Sequence, residues 1–403
     1  MTALDNATAA IASARRAAAA HRRSVTAFEV ELRPLSALES MAEPWRNLAA
    51  HTVEPNVFYE PAFALAAAPL LGADVLAGLV WTSGAARQLA GLFPVRIDRH
   101  RYAMPLPVLT AWIHPYAPLG TPLVHREMAE PVIAAWLDHV ARDASLPDLL
   151  LMRLFPEEGP FAAALAGVLA CRGCAARSFD RHQRAVLDPG ENRTRYFERT
   201  LTGKRQRELR RQRRRLEQLG PVTVAQAHDG SQLAHSLDEF FALEATGWKG
   251  RAGTAALINE NICHFMQRAV AALGREGKVS IHRLLLDGKT IAACIVLKSG
   301  NTAWTWKVAH DEAFSAFSPG VLLMATLSEL VLADTTVARI DSCATGAHMM
   351  MNQLWHERLM MADCLFTADA GGEISFALAT RLEALRRTAV AAAKSLRDQI
   401  RRR

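Results

Sequence analysis

Three side chains in the second half of the chain have the residue types and positions that proton transfer needs. Glu244 ends an apolar helical stretch, His310 ends a run rich in β-formers, and Asp341 ends a later run. Histidine has an ordinary pKa near neutrality, so His310 could act as a general base or could equally be a loop residue without a role. Glu244 is a second candidate for the base. Asp341 could orient an acceptor, or cap the turn that follows it.

The elements that must position these groups are three strands and a helix. Tight-turn pairs at 287–288 (Asp-Gly) and 300–301 (Gly-Asn) separate β-rich runs, which predicts strands at 278–286, 290–298 and 302–309. The third strand then leads into an apolar helix predicted at 319–333. This order places Lys307 and His310 at the end of a strand, just before the start of a helix.

The start of that helix is a candidate phosphate site. Ser318 is a favoured N-cap residue, and the proline that follows it is favoured at the first helical position. Backbone amides of Gly320 and Val321 could hold phosphate oxygens. The sequence therefore predicts cofactor binding by Phe317, Ser318, Gly320, Val321 and Lys307. The alternative is an ordinary capped helix.

Two cationic segments could bind an acceptor or a polyanion. Trp248, Lys249 and Arg251 form a compact aromatic and cationic loop that could line a sugar or anionic pocket. A basic helix at 199–219 carries its arginines at spacings of three and four. Its predicted contacts with a nucleotide-sugar, a lipid pyrophosphate or tRNA come from Lys204, Arg207 and Arg211. A solvated helix face is the alternative.

Composition limits the class of protein. The chain has 403 residues, is 50% hydrophobic and 22% charged, and carries a formal net charge of +7. These values predict two domains with buried cores and a polyanionic partner, either a molecule or an anionic membrane surface. The absence of a long apolar run and the six cysteines inside apolar stretches predict a cytoplasmic protein without a membrane span. The lone Cys171-Arg-Gly-Cys174 pair predicts no metal site.

The order of predicted elements occurs twice. Strand, helix, three strands, loop, helix, strand, helix and strand follow one another in both halves of the chain. We therefore predict an α/β fold with mixed sheets and two tandem domains, at 25–189 and 190–370. A flexible arm precedes them at 1–24, and a basic helix follows at 371–403, where it could pack on the body, pair with a partner or lie on anionic lipid. Residues 55–61, with prolines at both ends, interrupt the pattern of the first half.

Several motifs occur in the order found in a known family. They include residues 203–204, 243–254 (Leu-Glu-Ala-Thr-Gly-Trp-Lys-Gly-Arg-Ala-Gly-Thr), 304–307 (Trp-Thr-Trp-Lys), 317–321 and 341–344, with 55–61 and 118–122 in the first half. The chain thereby resembles the GNAT-type acyltransferases of the CelD/BcsL group of cellulose biosynthesis. Its tandem arrangement is similar to that of the Fem peptidyltransferases, which use aminoacyl-tRNA.

The resemblance implies transfer of an acyl group from acetyl-CoA or another acyl-CoA to a sugar or other small acceptor, in exopolysaccharide or envelope biosynthesis. One departure concerns the tyrosine that many such enzymes use to protonate the leaving thiolate. The last tyrosine here is Tyr196, so Cys343, His348 or water would have to replace it. A Fem-like transferase and a non-catalytic scaffold that binds polyanions are the alternative functions.

Overall fold

The structure is a computed structural model that describes residues 28–84, 87–190, 193, 195–346 and 349–402, with the side chains of 349 and 398–402 left out. The predicted arm at 1–24 and His348 lie outside the described residues.

Strands and helices alternate along most of the described chain. The strands are β1 (Phe28–Pro34), β2 (Leu76–Thr82), β3 (Leu89–Asp98), β4 (Val108–Ala111), β5 (Leu123–Val124), β6 (Leu149–Pro156), β7 (Ala176–Leu187), β8 (Val222–Ala227), β9 (Val279–Leu286), β10 (Lys289–Ser299), β11 (Thr302–His310), β12 (Arg339–Asp341) and β13 (Glu357–Thr367). The helices are α1 (Ala42–Ala50), α2 (Pro61–Leu71), α3 (Ala129–Arg142), α4 (Pro160–Arg172), α5 (Tyr196–Thr200), α6 (Gly203–Glu217), α7 (Gly230–Thr246), α8 (Trp248–Arg251), α9 (Glu260–Arg275), α10 (Pro319–Ala333), α11 (Met349–Leu354) and α12 (Glu373–Arg402).

The chain divides into two compact units, and each contains more than one segment. The first unit holds residues up to 54, then 74–181 and 361–403, and the second holds 55–73 and 182–360. These limits differ from the predicted domains at 25–189, 190–370 and 371–403. Residues 55–73 group with the second unit because α2 packs against α9, with Phe63 and Phe265 in edge-to-face contact. The C-terminal helix groups with the first unit through a buried ion pair between Arg101 and Glu383.

The first unit contains a mixed sheet in the order β1, β2, β3, β4, β6 and β13. Neighbouring strands are antiparallel except β4 and β6, which are parallel. Two helices, α3 and α4, contribute to the main apolar core, where Phe93 and Trp136 stack with ring centroids 5.1 Å apart. The central strands β2, β3 and β6 are buried along most of their length and not on alternate residues, as expected for strands inside a packed layer.

The second unit contains a mixed sheet in the order β7, β12, β11, β10, β9 and β8. Its one parallel pair is β11 with β12. Apolar residues of α10 pack on one face of β9 to β11, with Leu323 and Met324 fully buried. A cluster of aromatic rings contributed by α2, α9 and β11 packs elsewhere in the unit, with Phe63 in contact with Trp306. The burial of α10 against β9 to β11 explains why most of its residues are apolar.

The observed architecture confirms the predicted α/β fold with mixed sheets. The strands predicted at 278–286, 290–298 and 302–309 are β9, β10 and β11, and the helix predicted at 319–333 is α10. The predicted break at 55–61 leads into α2, where Pro61 occupies the first turn and its missing amide costs nothing. Within the described residues, we find no helix with the length and apolarity needed to cross a bilayer.

Candidate active site

Parallel strands β11 and β12 pair along only part of β11, and a cavity lies beyond the end of β12. Among the described residues they pair over only three positions, 302–304 with 339–341, although β11 continues to His310. A cavity of about 380 Å³ opens where the pairing ends. Its lining residues are Leu243, Glu244, Gly247, Trp248, Lys249, Thr305, Trp306, Lys307, Val308, Ala309, His310, Glu312, Ser342, Cys343, Ala344, Met350 and Met351. Concave sites of this size, apolar with a few convergent polar groups, are typical of small-molecule binding.

A β-bulge in β11 lies in the wall of this cavity. In the antiparallel pair with β10, Lys307 is opposite Ile295, but the next partner of β11 is Thr305, opposite Val296. Trp306 is therefore the extra residue. Bulges bend a strand and redirect its side chains, and they occur often beside active sites. The bulge at Trp306 lies between Trp304, the last residue of β11 that pairs with β12, and Lys307.

Lys307 is a lysine of the cavity wall with a lowered pKa. Burial, reinforced by the positive charge of Lys249, lowers the pKa of Lys307 to about 8, against the opposing effects of Glu244 and Cys343. A lysine in this range exchanges protons near neutral pH, as a catalytic acid or base requires. From the sequence, Lys307 is predicted only as a cofactor-binding residue.

Glu244 lies in the cavity wall with both carboxylate oxygens engaged. Oε1 accepts from Nζ of Lys249 at 2.6 Å, and Oε2 accepts from the backbone N–H of Ala256 at 2.8 Å. The side chain is buried and ties the end of α7 to the loop that follows it. In this geometry Glu244 positions Lys249, so we assign it a positioning role rather than that of the base.

The loop at 247–254, predicted to contact substrate, forms the short helix α8 at one side of the cavity. Trp248 is 60% exposed and lines the cavity together with Lys249. Arg251 is not among the lining residues but pairs with Glu312, which lines the cavity and also accepts a hydrogen bond from the backbone N–H of Trp248 at 2.6 Å. The hydrogen bond from Arg251 holds the pKa of the Glu312 carboxyl below its usual range. Sequence reasoning missed Glu312 because its partners lie more than 60 residues away.

His310 lies at the end of β11, beside the start of α10. A methyl group added to Gly320 would lie 3.5 Å from Nδ1 of His310 and 3.8 Å from Sδ of Met350, and both of these side chains line the cavity. The second residue of α10 is therefore adjacent to the cavity, as the phosphate-site prediction requires.

The conformation and hydrogen bonding at the start of α10 differ from those predicted. Ser318 adopts a left-handed conformation (φ 51°) and its side chain caps no helix amide, so the predicted side-chain cap is wrong. Instead its hydroxyl accepts from Nε2 of Gln212 at 3.3 Å. The N–H of Val321 donates to the carbonyl of Ser318 at 3.0 Å, which leaves the amide of Gly320 as the nearer candidate for an anion. The predicted roles of Phe317, Ser318, Gly320 and Val321 in cofactor binding stay predictions.

Helix α6 adjoins the start of α10. Besides the bond from Gln212, the guanidinium of Arg215 lies over the ring of Phe317, 5.2 Å from its centroid. The three residues predicted to bind substrate, Lys204, Arg207 and Arg211, are exposed and do not line the cavity. Arg211 pairs with Glu208 on the same helix.

Asp341 is buried outside the cavity lining. Its Oδ2 forms an ion pair with Arg184 at 3.0 Å, with both side chains no more than 3% exposed, and its Oδ1 accepts the backbone N–H of Cys343 at 2.7 Å. The bond from Cys343 is the turn-capping alternative considered for Asp341. Together with the ion pair to Arg184, it engages both carboxylate oxygens. We therefore treat Asp341 as a residue that holds the end of β12.

Cys343 follows directly in a left-handed conformation (φ 53°) and lines the cavity. Burial, with the charge of Asp341 beside it, raises the pKa of its thiol well above the usual range. A thiol that resists ionisation makes a poor nucleophile and a poor proton donor. Cys343 is therefore a weaker replacement for the missing tyrosine than Lys307.

A second cavity of about 330 Å³ lies in the same unit, between β9, β10 and the end of α10. Burial lowers the pKa of its His282 to about 4, so this side chain is neutral at physiological pH. Its walls combine apolar side chains with polar ones, namely Gln226, His228, Ser280, Lys298 and Asp334. Within the described part of the chain, no group of three or more potential ligands could hold a metal ion.

Part of the second unit matches a known protein family. Residues 203–348 match the acetyltransferase (GNAT) domain. No curated protein matches the chain. The structure of FemX has a TM-score of 0.54 at 9% identity, over 80% of this chain and 95% of that one.

Two further solved structures have lower TM-scores. The C-terminal domain of a putative lysylphosphatidylglycerol synthetase from Agrobacterium fabrum scores 0.48 at 10% identity, covering 84% of this chain and 94% of that one. A tandem GNAT protein from the clavulanic acid pathway scores 0.42 at 14% identity, covering 85% and 100%. The FemX likeness shows a shared fold, and the segment that matches the acetyltransferase (GNAT) domain lies in the unit that holds the cavity.

Proposed function

We propose that the second unit transfers an acyl group from acyl-CoA, with acetyl-CoA as the simplest donor, to the amine or hydroxyl of a small acceptor. One observation carries the proposal: β11 continues past the end of β12 to Lys307 and His310, and both side chains line a cavity that can hold a thioester and an acceptor group. The match of this segment to a GNAT acetyltransferase domain supports the class of reaction.

The proposed step uses two groups of β11. The acceptor nitrogen or oxygen attacks the thioester carbonyl, so that a C–N or C–O bond forms and the C–S bond breaks. His310 takes the proton from the acceptor. Lys307, in its ammonium form, gives a proton to the leaving thiolate and so replaces the missing tyrosine. Its charge also stabilises the oxyanion that develops on the carbonyl.

The start of α10 and helix α6 are the proposed site of the donor's phosphates. The helix N-terminus at Gly320 attracts negative charge. Helix α6 adjoins this point through Gln212 and Arg215. The cavity itself is too small for a whole CoA molecule and would take its acyl end.

Trp248 and Lys249 are the proposed acceptor-binding residues. An exposed indole at the side of a polar cavity can pack against a sugar ring, and the adjacent ammonium can bind an anionic substituent. The resemblance to the CelD/BcsL group leads us to propose an acceptor from exopolysaccharide or cell-envelope biosynthesis.

The experiment is a thiol-release assay with acetyl-CoA and a panel of amino sugars and sugar alcohols, followed by mass spectrometry of the products. We expect acceptor-dependent release of CoA and an acceptor heavier by one acetyl group. The Trp248→Ala variant should raise KM for the acceptor with little change in KM for acetyl-CoA. A folded protein that neither binds nor consumes any acyl-CoA would contradict the proposal.

One observation favours a second donor, an aminoacyl-tRNA. Exposed arginines of α6 form a cationic face next to the start of α10. Binding of tRNA would fall steeply with salt, because each phosphate contact releases counterions. Charge reversal by Arg207→Glu together with Arg210→Glu should weaken tRNA binding if this alternative holds, and should leave the cavity unchanged. Transfer from aminoacyl-tRNA without transfer from acyl-CoA would decide for this donor.

A further inference from the structure

Helix α12 uses only one face of its first half to pack in the first unit. Glu383 is fully buried, and its carboxylate accepts hydrogen bonds from Nε and Nη2 of Arg101, each at 2.8 Å. Arg387 bonds to Glu383 and Asp363, and Ala379 is also fully buried. Burial alone would raise the pKa of Glu383, but Arg101 and Arg387 hold it below its usual range. This network anchors the helix at 379–387 and leaves its other face open.

The opposite face of α12 is an exposed apolar stripe. The side chains of Ile374, Leu378, Leu385 and Leu396 are 88%, 41%, 67% and 59% exposed. Their spacings of four, seven and eleven residues place them along one side of a helix. Every residue from 388 to 397 is exposed, so the second half of the helix lies open to solvent. Leaving this much apolar surface in water is unfavourable and indicates an interaction site.

Basic residues accompany the stripe. Arg381, Arg386, Lys394 and Arg397 are exposed along α12, and the sequence ends in three arginines at 401–403. An apolar stripe with arginine and lysine beside it is typical of a helix that lies in the interface of a bilayer. Each cation near an anionic membrane surface adds electrostatic attraction.

A second copy of the chain fits this face less well. Arg381 lies within the stripe, between Leu378 and Leu385, and the next positions along it are the alanines at 389 and 392. Pairing two such helices would bury the guanidinium among apolar side chains, which is costly without a partner charge. Small alanines also provide little area for interlocking. At a bilayer the guanidinium can extend to the lipid phosphates while the leucines insert.

We propose that α12 binds the surface of an anionic phospholipid bilayer, with Leu378 and Leu385 inserted between the headgroups and the surrounding arginines on the lipid phosphates. This contact would bring the first unit to the membrane without any span. It requires no acyl donor, so it stands apart from the proposed catalysis.

The test is co-sedimentation of the full chain with vesicles of phosphatidylcholine, alone or with about 30% phosphatidylglycerol. We expect binding to the anionic vesicles that weakens but does not vanish in high salt, because the leucines contribute independently of charge. Leu378→Glu with Leu385→Glu should lower the partition at least about tenfold. Leu257→Glu with Ile258→Glu, which changes two exposed apolar residues outside α12, should bind like the wild type. Thermal melting checks that both double variants are folded.

Three outcomes would overturn the proposal. The wild-type chain could fail to bind anionic vesicles, or the α12 variant could bind them as well as the wild type. The wild-type chain could also sediment as a dimer that the α12 variant alone converts to a monomer. That last result would assign the stripe to a second copy of the chain instead of a lipid surface.

Discussion

Replacement of Lys307 by methionine is expected to lower the turnover of acyl transfer about a hundredfold or more, the range typical of a lost acid–base group. With a pKa of about 8, the ammonium of Lys307 is a slightly stronger acid than an ordinary thiol, whose pKa is about 8.5. Proton transfer to the leaving thiolate is therefore favourable. Methionine keeps the length of the side chain and removes the proton and the charge.

The same assignment fixes the direction of the pH dependence. The protonated form of Lys307 is the active one, so turnover should fall as the pH rises through about 8. Arginine at this position stays protonated throughout this range. The Lys307→Arg variant should therefore be slower than the wild type but should lack this decline.

The control is Lys289→Met, at an exposed lysine outside the cavity, which should keep the wild-type rate and pH profile. Thermal melting establishes that each variant is folded. Near-normal turnover in Lys307→Met, or an unchanged decline at high pH in Lys307→Arg, would remove Lys307 from the mechanism.

Substitution of Asp341 by asparagine is expected to lower the free energy of unfolding by about 3–5 kcal/mol, because it leaves the buried guanidinium of Arg184 without its charged partner. The substitution also weakens the bond that Asp341 accepts from the amide of Cys343, and so loosens the end of β12. Denaturant unfolding followed by tryptophan fluorescence measures the change.

A matched control exists on the neighbouring segment. Asp188 forms an ion pair with Arg339 at 2.8 Å, and both side chains are more than a third exposed. Asp188→Asn should therefore cost no more than about 1 kcal/mol. At a temperature where Asp341→Asn stays folded, its turnover should be close to that of the wild type. Wild-type stability with lost turnover would instead make Asp341 the catalytic residue that the sequence first suggested.

The sequence predicted the framework of the site well because that framework is local. The turns at 287–288 and 300–301 and the proline of α10 lie next to the elements they delimit, and the strands and helix occur as predicted. The periodicity of these segments reports which face is buried, and short-range turn chemistry reports where each element ends.

The features that the sequence could not reveal depend on distant partners. The carboxylate of Asp341 meets an arginine 157 residues away, so its structural role could not be read from its position after a strand. The hydroxyl of Ser318 accepts a hydrogen bond from Gln212, which lies 106 residues away, and does not form the predicted helix cap. The lowered pKa of Lys307 depends on its burial and on the charge of Lys249, and neither has a sequence signal.

Calorimetric titration of the purified chain with acetyl-CoA tests the central claim most directly. Wild type and Gly320→Ala should both bind, because a methyl group at this position makes only ordinary contact with His310. Gly320→Glu should lose binding, because its carboxylate would extend toward the cavity and repel the phosphates, while an acidic residue in the first turn is compatible with the helix. Absence of binding by the folded wild type, or equal binding by Gly320→Glu, would contradict a donor site at the start of α10.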